Sequence, residues 1–192
     1  KLNPNAPVAT NRFEKTNTKA DVIFAFYGYN ESFAGEAGLA QFKENLEAFI
    51  KHVAGQKYNG KSAPKLVLFS PTAFEQLLDQ NLPKAEETNA RLKLYTAAMS
   101  EVAAKNGTAF VDLFTPTLKA FAEERGAQTI NGVHLNESGD QVAAVFAFEE
   151  VFAKKAPPAS DATTKLRDAI NKKNYYWYNR YRTTDGYSTY GD

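Results

Sequence analysis

Two kinds of apolar pattern alternate along this chain. Asp21-Val22-Ile23-Phe24-Ala25-Phe26-Tyr27, Lys65-Leu66-Val67-Leu68-Phe69-Ser70 and Ala109-Phe110-Val111-Asp112-Leu113-Phe114 are near-continuous apolar runs. Short runs without polar alternation predict strands covered on both faces, the habit of parallel sheets. Between them the period changes. Phe42, Leu46, Phe49, Ile50 and Val53 recur at helical spacing and predict an amphipathic helix over residues 38–55. Leu92, Tyr95, Met99 and Val102 share a face of a second helix over residues 86–106, stopped by Gly107. Thr115-Pro116 reads as the N-cap and first residue of a short helix to Arg125. Val142, Val145, Phe146 and Phe152 mark another over residues 138–154. Residues 73–84 read as a long loop with some helix. Strand alternating with helix predicts an α/β fold with a parallel sheet. Such sheets bind ligands outside the carboxyl ends of their strands. Asn30 and Ser70 stand at such ends, and His134 follows the last strand–helix unit.

Residues 1–20, with Pro4 and Pro7, read as an extended lead-in to an α/β domain over residues 21–155. Ala156-Pro157-Pro158-Ala159 is the expected linker. Residues 156–192 then hold that linker, a short helix over 161–173 capped by Ser160 or Asp161, and an aromatic-rich tail. Three strands are few for such a domain, and no strand partner precedes residue 21. An exposed apolar edge is an aggregation hazard. The first strands are therefore expected to be missing from this chain, to be supplied by an absent N-terminal segment or a partner chain.

A length of 192 residues suffices for one domain with a sizeable core. A net charge of +1 gives no field that favours nucleic acid or an anionic membrane, so neither is an expected partner. No run of eighteen apolar residues exists to span a bilayer. Without cysteine, disulfides, thiolate metal sites and cysteine nucleophiles are excluded. The start at Lys1 is neither a signal peptide nor an initiator methionine, so processing or a longer parent polypeptide is expected.

Two blocks carry candidate chemistry. Gly28-Tyr29-Asn30-Glu31-Ser32 places a side-chain amide directly after the first strand. Asn131-Gly132-Val133-His134-Leu135-Asn136 places one of two histidines on a loop entering a helix. An amide and an imidazole at one rim of a sheet are two parts of an acyl-transfer site. A strand-ending Asn is also a common turn former, and a histidine before a helix is also a common cap or surface residue. Glu31 either lines a polar pocket or faces water, and Tyr29 is a candidate cleft wall. Ser32 lacks the strained Gly-x-Ser-x-Gly turn of a nucleophile, and Ser70 is followed by Pro71. The carboxylates and the two histidines show no metal-ligand spacing, and no Gly-rich phosphate loop occurs.

Gly28-Tyr29-Asn30 resembles the Gly-x-Asn block of SGNH hydrolases, also called GDSL-type esterases. Residues Asn131 to Gly139 are similar to their last block, usually Asp-x-x-His followed by Leu-x-x-x-Gly. The resemblance covers about residues 20 to 155. It implies a flavodoxin-like three-layer α/β/α fold with a parallel sheet. It also implies a serine ester hydrolase acting on acyl or acetyl esters, carbohydrate esters among them, with no metal or organic cofactor. By the same resemblance Asn30 donates to the oxyanion and His134 is the general base and acid. Asn131, standing where the family has Asp, orients the imidazole. Gly28, Tyr29 and Glu31, around Asn30, are the candidate substrate-binding residues. The family's Gly-Asp-Ser block, which carries the nucleophile, is absent from this chain. The alternative is a catalytically inactive SGNH-like scaffold or binding module within a larger assembly. Residues 176–187 resemble the region after the esterase-like domain in large exported proteins of planctomycete-type bacteria, which implies a periplasmic or extracellular location. That tail either packs along its own domain or leads into a following one; its aromatics and arginines also suit stacking on sugars or a partner.

Overall fold

Val22–Phe26 (β1), Lys65–Phe69 (β2) and Ala109–Val111 (β3) form a parallel sheet in the order β1-β2-β3. The coordinates are a computed structural model that describes residues 19–123 and 126–181. Most of the expected lead-in, Arg125 and the tail beyond Tyr181 lie outside the described residues. Helices Leu39–Ala54 (α1) and Ala85–Lys105 (α2) make the two crossovers between strands. Phe114–Phe121 (α3) and Glu137–Phe152 (α4) follow β3, and Asp161–Tyr181 (α5) comes last. The chain divides into two compact units between Lys154 and Lys155.

Strand alternation sorts the sheet's side chains between two helical layers. Ala25 and Leu68, with half-buried Ile23, Leu66 and Phe110, pack against Phe42, Leu46 and Val53 of α1 and Tyr95, Met99 and Val102 of α2. On the opposite face Phe69, Val111, Leu113 and Val67 meet Phe146, Ala147 and Val151 of α4. A third cluster, Ala73, Phe74, Ala85, Leu92 and Phe114, lies beyond the carboxyl ends of the strands. This is the α/β fold with a parallel sheet that the alternation predicts, with helices on both faces as the family resemblance implies.

Several expectations need correction. β1 is covered on one face only: Val22, Phe24 and Phe26 are 50%, 50% and 61% exposed. The reason is that α4 packs over β2 and β3, while β1 lies at the edge. The rings of Phe24 and Phe26 lean on Phe69, with centroids 5.0 and 4.5 Å away. Residues 73–84 contain no helix; the backbone groups of Ala73 and Phe74 bond instead to the side chains of Thr117 and Asn89. β3 ends at Val111, three residues earlier than its apolar run. There the Asp112 carboxylate accepts from the Thr115 amide and hydroxyl at 3.0 and 2.6 Å and turns the chain into α3. The cap position is Leu113, not Thr115. α5 runs through Tyr175, Trp177 and Tyr181 rather than stopping at residue 173. Its start is closed by Ser160, whose hydroxyl accepts from the Thr163 amide at 3.2 Å.

Candidate active site

The turn after β1 is built by glycine and by backbone. Gly28 has φ +102°, and a Cβ there would lie 3.1 Å from Met99 Sδ and 3.2 Å from Pro71 Cδ. Its amide donates to Glu31 Oε2 at 2.9 Å. The Ser32 amide reaches the Gly28 carbonyl at 3.1 Å, and the Ser32 hydroxyl donates to the Tyr29 carbonyl at 2.6 Å. These bonds fix the backbone of Asn30 as the entry to the short 3₁₀ turn Glu31–Ala34. The Asn30 side chain makes no capping bond and is exposed. Its amide is thus not what forms the turn.

Glu31 is half-buried and occupied by the Gly28 amide. Its charge adds to the effect of burial in raising Tyr27 and Tyr95 above the usual tyrosine pKa, burial being the larger cause. Tyr29 is half-buried against the cluster of Ala73, Phe74 and Leu92 and meets Phe33 edge-on, with centroids 5.6 Å apart. Burial raises its pKa, and the nearby Arg91 charge opposes that rise. A cleft of about 460 Å³ opens beside this turn. Asn30, Glu31, Gln41 and Asn45 form its polar wall, over Phe42 and Tyr95.

The second block is a tight loop closed by Thr129 and Leu135, which form an antiparallel bridge. Asn131 Oδ1 accepts from the Val133 and His134 amides at 3.3 and 3.0 Å. The same oxygen lies 3.1 Å from His134 Nδ1. In the tautomer that protonates Nδ1, the ring donates to Asn131 and keeps its Nε2 lone pair for another partner. The His134 ring is exposed. The cap of α4 is Asn136, whose side chain accepts from the Gly139 amide at 3.0 Å. His134 is therefore not the capping residue.

Both blocks lean on one apolar cluster. Tyr29, next to Asn30, and Val133, next to His134, both pack against the group that contains Phe74 and Leu92. The two serines near the strand ends are consumed by the fold. Ser32 is 2% exposed, and Ser70 has no exposed surface. Ser70 Oγ accepts from the Leu113 and Phe114 amides at 2.8 and 3.0 Å. His52 is exposed on α1. Among the described residues no group of three or more His, Cys, Asp or Glu could hold a metal ion, and no helix is long and apolar enough to cross a membrane.

One residue of this region gave no sign in the sequence. Glu75 is 4% exposed and accepts from the Gln128 and Thr129 amides and the Thr129 hydroxyl. A glutamate in a loop between apolar residues reads like any solvated one until the partner loop, more than fifty residues later, is in place.

A family model described as the GDSL-like Lipase/Acylhydrolase family matches residues 4–142. No curated protein sequence matches. Among solved structures, LAE5, an alpha/beta hydrolase enzyme from the metagenome of Lake Arreo, is 20% identical, with TM-score 0.53 over 73% of this chain and 64% of that one. A catalytic mutant of Axe2, an acetylxylan esterase from Geobacillus stearothermophilus, is 14% identical, with TM-score 0.56 over 78% and 68%. The lipase/acylhydrolase from Enterococcus faecalis is 18% identical, with TM-score 0.51 over 75% and 67%. The chain thus spans less than two thirds of the first of these and about two thirds of the others. At such identities the likeness is one of fold. With the family match covering most of the sequence, this chain belongs to the GDSL-like lipase/acylhydrolase family.

Proposed function

We propose that this chain forms the greater part of a serine ester hydrolase domain, in which Asn30 and His134 serve acyl transfer. The nucleophilic serine comes from an upstream segment that pairs with the open edge of β1. The observation that carries this reading is that the fold leaves both residues unspent: the Asn30 amide does not build its turn, and His134 does not cap its helix. A parallel strand added beside β1 would end at the rim that holds Asn30, and a helix following it could cover Val22, Phe24 and Phe26.

The chemistry follows from those positions. The serine Oγ attacks the ester carbonyl carbon while His134 Nε2 takes its proton. The Asn30 amide donates to the carbonyl oxygen as it gains charge, an effect worth about 3 kcal/mol per well-placed donor. The C–O bond to the alcohol then breaks, and His134 returns the proton to the leaving oxygen. Water repeats the sequence on the acyl-enzyme and releases the acid. Catalytic mutants of the Geobacillus esterase alter a serine, an aspartate and a histidine, the last two three residues apart. Asn131 and His134 share that spacing. The Asn131 oxygen holds the ring but adds no charge to stabilise an imidazolium, a loss of about ten-thousand-fold in one serine protease. Asn131→Asp should therefore raise turnover. The polar wall over Phe42 and Tyr95 suits the alcohol side of an acyl or acetyl ester of carbohydrate.

The test is intact mass with and without a fluorophosphonate probe on the protein that includes upstream sequence. One adduct supports the hydrolase, and His134→Ala should then abolish ester turnover. Turnover retained in that variant would remove His134 from the mechanism. No adduct would leave a scaffold without a nucleophile.

A further inference from the structure

We infer that Glu75 is the positioning residue that holds His134 in register, by gripping the first arm of the histidine loop from the segment that follows β2. The inference rests on the proposed role of His134 for its meaning, but its geometry stands apart from any activity. Glu75 is 4% exposed and forms no ion pair among the described residues. Its Oε1 accepts from the Gln128 amide at 2.8 Å, and its Oε2 from the Thr129 amide at 2.7 Å and the Thr129 hydroxyl at 2.6 Å. Its own amide donates to the Gly132 carbonyl at 2.9 Å.

The grip passes on to the histidine by short steps. Thr129 Oγ1 accepts from the Gly132 amide at 2.9 Å. The Ile130 amide donates to the His134 carbonyl at 2.8 Å, closing the loop on itself. Asn131, between those two anchors, holds the ring. Gly132 has φ +85°, and a Cβ there would collide with the Phe74 ring, so the loop seats directly on the neighbour of Glu75. The supporting segment is itself fixed. Ala73 donates to Thr117 Oγ1 at 2.9 Å, and the Asn89 side chain bonds both the amide and the carbonyl of Phe74 at 2.7 and 2.9 Å. A carboxylate offers two acceptor oxygens to three converging donors. Glutamine would offer one oxygen and place an NH2 group against an amide that needs an acceptor.

The test reads the ring rather than turnover. Long-range 1H–15N correlation spectra of the labelled chain report the tautomer of His134, with exposed His52 as the internal reference. The wild-type chain should show His134 biased toward the Nδ1-protonated tautomer and distinct from His52. In Glu75→Gln that bias should vanish, His134 converging on the averaged pattern of His52 while His52 stays put. Leu68→Ala should lower Tm and leave the His134 ring unmoved. If Glu75→Gln does not fold, Thr129→Val and Thr129→Ser decide: valine should move the ring the same way, and serine should restore it. A ring unmoved by Glu75→Gln, or by Thr129→Val, would overturn the inference, as would a wild-type His134 indistinguishable from His52. A longer protein that takes no fluorophosphonate adduct would sink the hydrolase reading and leave this bracket standing.

Discussion

On one face of the sheet, Ile23, Ala25, Leu66 and Leu68 lie under α1 and α2; on the other, Val67, Phe69 and Val111 lie under α4, and nothing described covers Val22, Phe24 and Phe26. The side chains are of one kind on both faces. What differs is the number of helices packed on each. The covered face makes one continuous core with the two crossover helices. The other is half a core, complete over β2 and β3 and open over β1. A large exposed apolar patch of this sort marks a surface meant for something else. Stability and completeness are thus separable here: the first belongs to the covered face, the second to whatever lies on the open one.

Substitutions should separate the two faces by size of effect. Leu68→Ala, at a side chain with no exposed surface under α1 and α2, should cost about 2–5 kcal/mol in urea unfolding. A loss below 1 kcal/mol would mean that the covered face is not the centre of stability. Ser70→Ala acts at the seam between β2 and α3, where the hydroxyl serves the Leu113 and Phe114 amides. Leaving both amides buried without a partner should cost about 1–3 kcal/mol.

Phe26→Ser, on the open face at 61% exposure, should cost under about 1 kcal/mol in this chain and improve its solubility. In a protein that includes the upstream segment, the same change should cost several-fold more. Equal costs in the two settings would show that the open face stays open. The smallest effect concerns Glu47 on α1, which bonds Lys51 and, across to α2, Lys105 at 2.7 and 2.9 Å. Those two lysines pull its pKa from 4.5 down to about 2. A lowered carboxylate stabilises the fold above the unfolded value, and that gain is lost as pH falls from 4.5 toward 2. Thermal unfolding across that range should show a small drop, absent in Glu47→Gln and weakened by salt.

The candidate site was legible in part. Gly28 was picked out only as the first residue of the Gly-x-Asn block, and the structure gives it a positive φ and two close neighbours. Asn131 was singled out only by the family resemblance, as the residue standing where an Asp orients the imidazole; its Oδ1 lies 3.1 Å from His134 Nδ1. Glu75 and Asn89 were not legible. Their partners lie far along the chain or on backbone, and no local pattern distinguishes a buried acceptor from a solvated one.

The sequence by itself determined what local physics can enforce: three apolar strands, helical faces with buried stripes on α1 and α2, and the polar blocks that follow β1 and precede α4. Period and turn chemistry act over a few residues, so they survive without the rest of the molecule. Only the tertiary structure decided which face of β1 is covered, where β3 gives way to α3, how far α5 extends, and that a buried glutamate grips the histidine loop. Each depends on which distant segment arrives at a given surface, and a one-dimensional pattern carries no record of that.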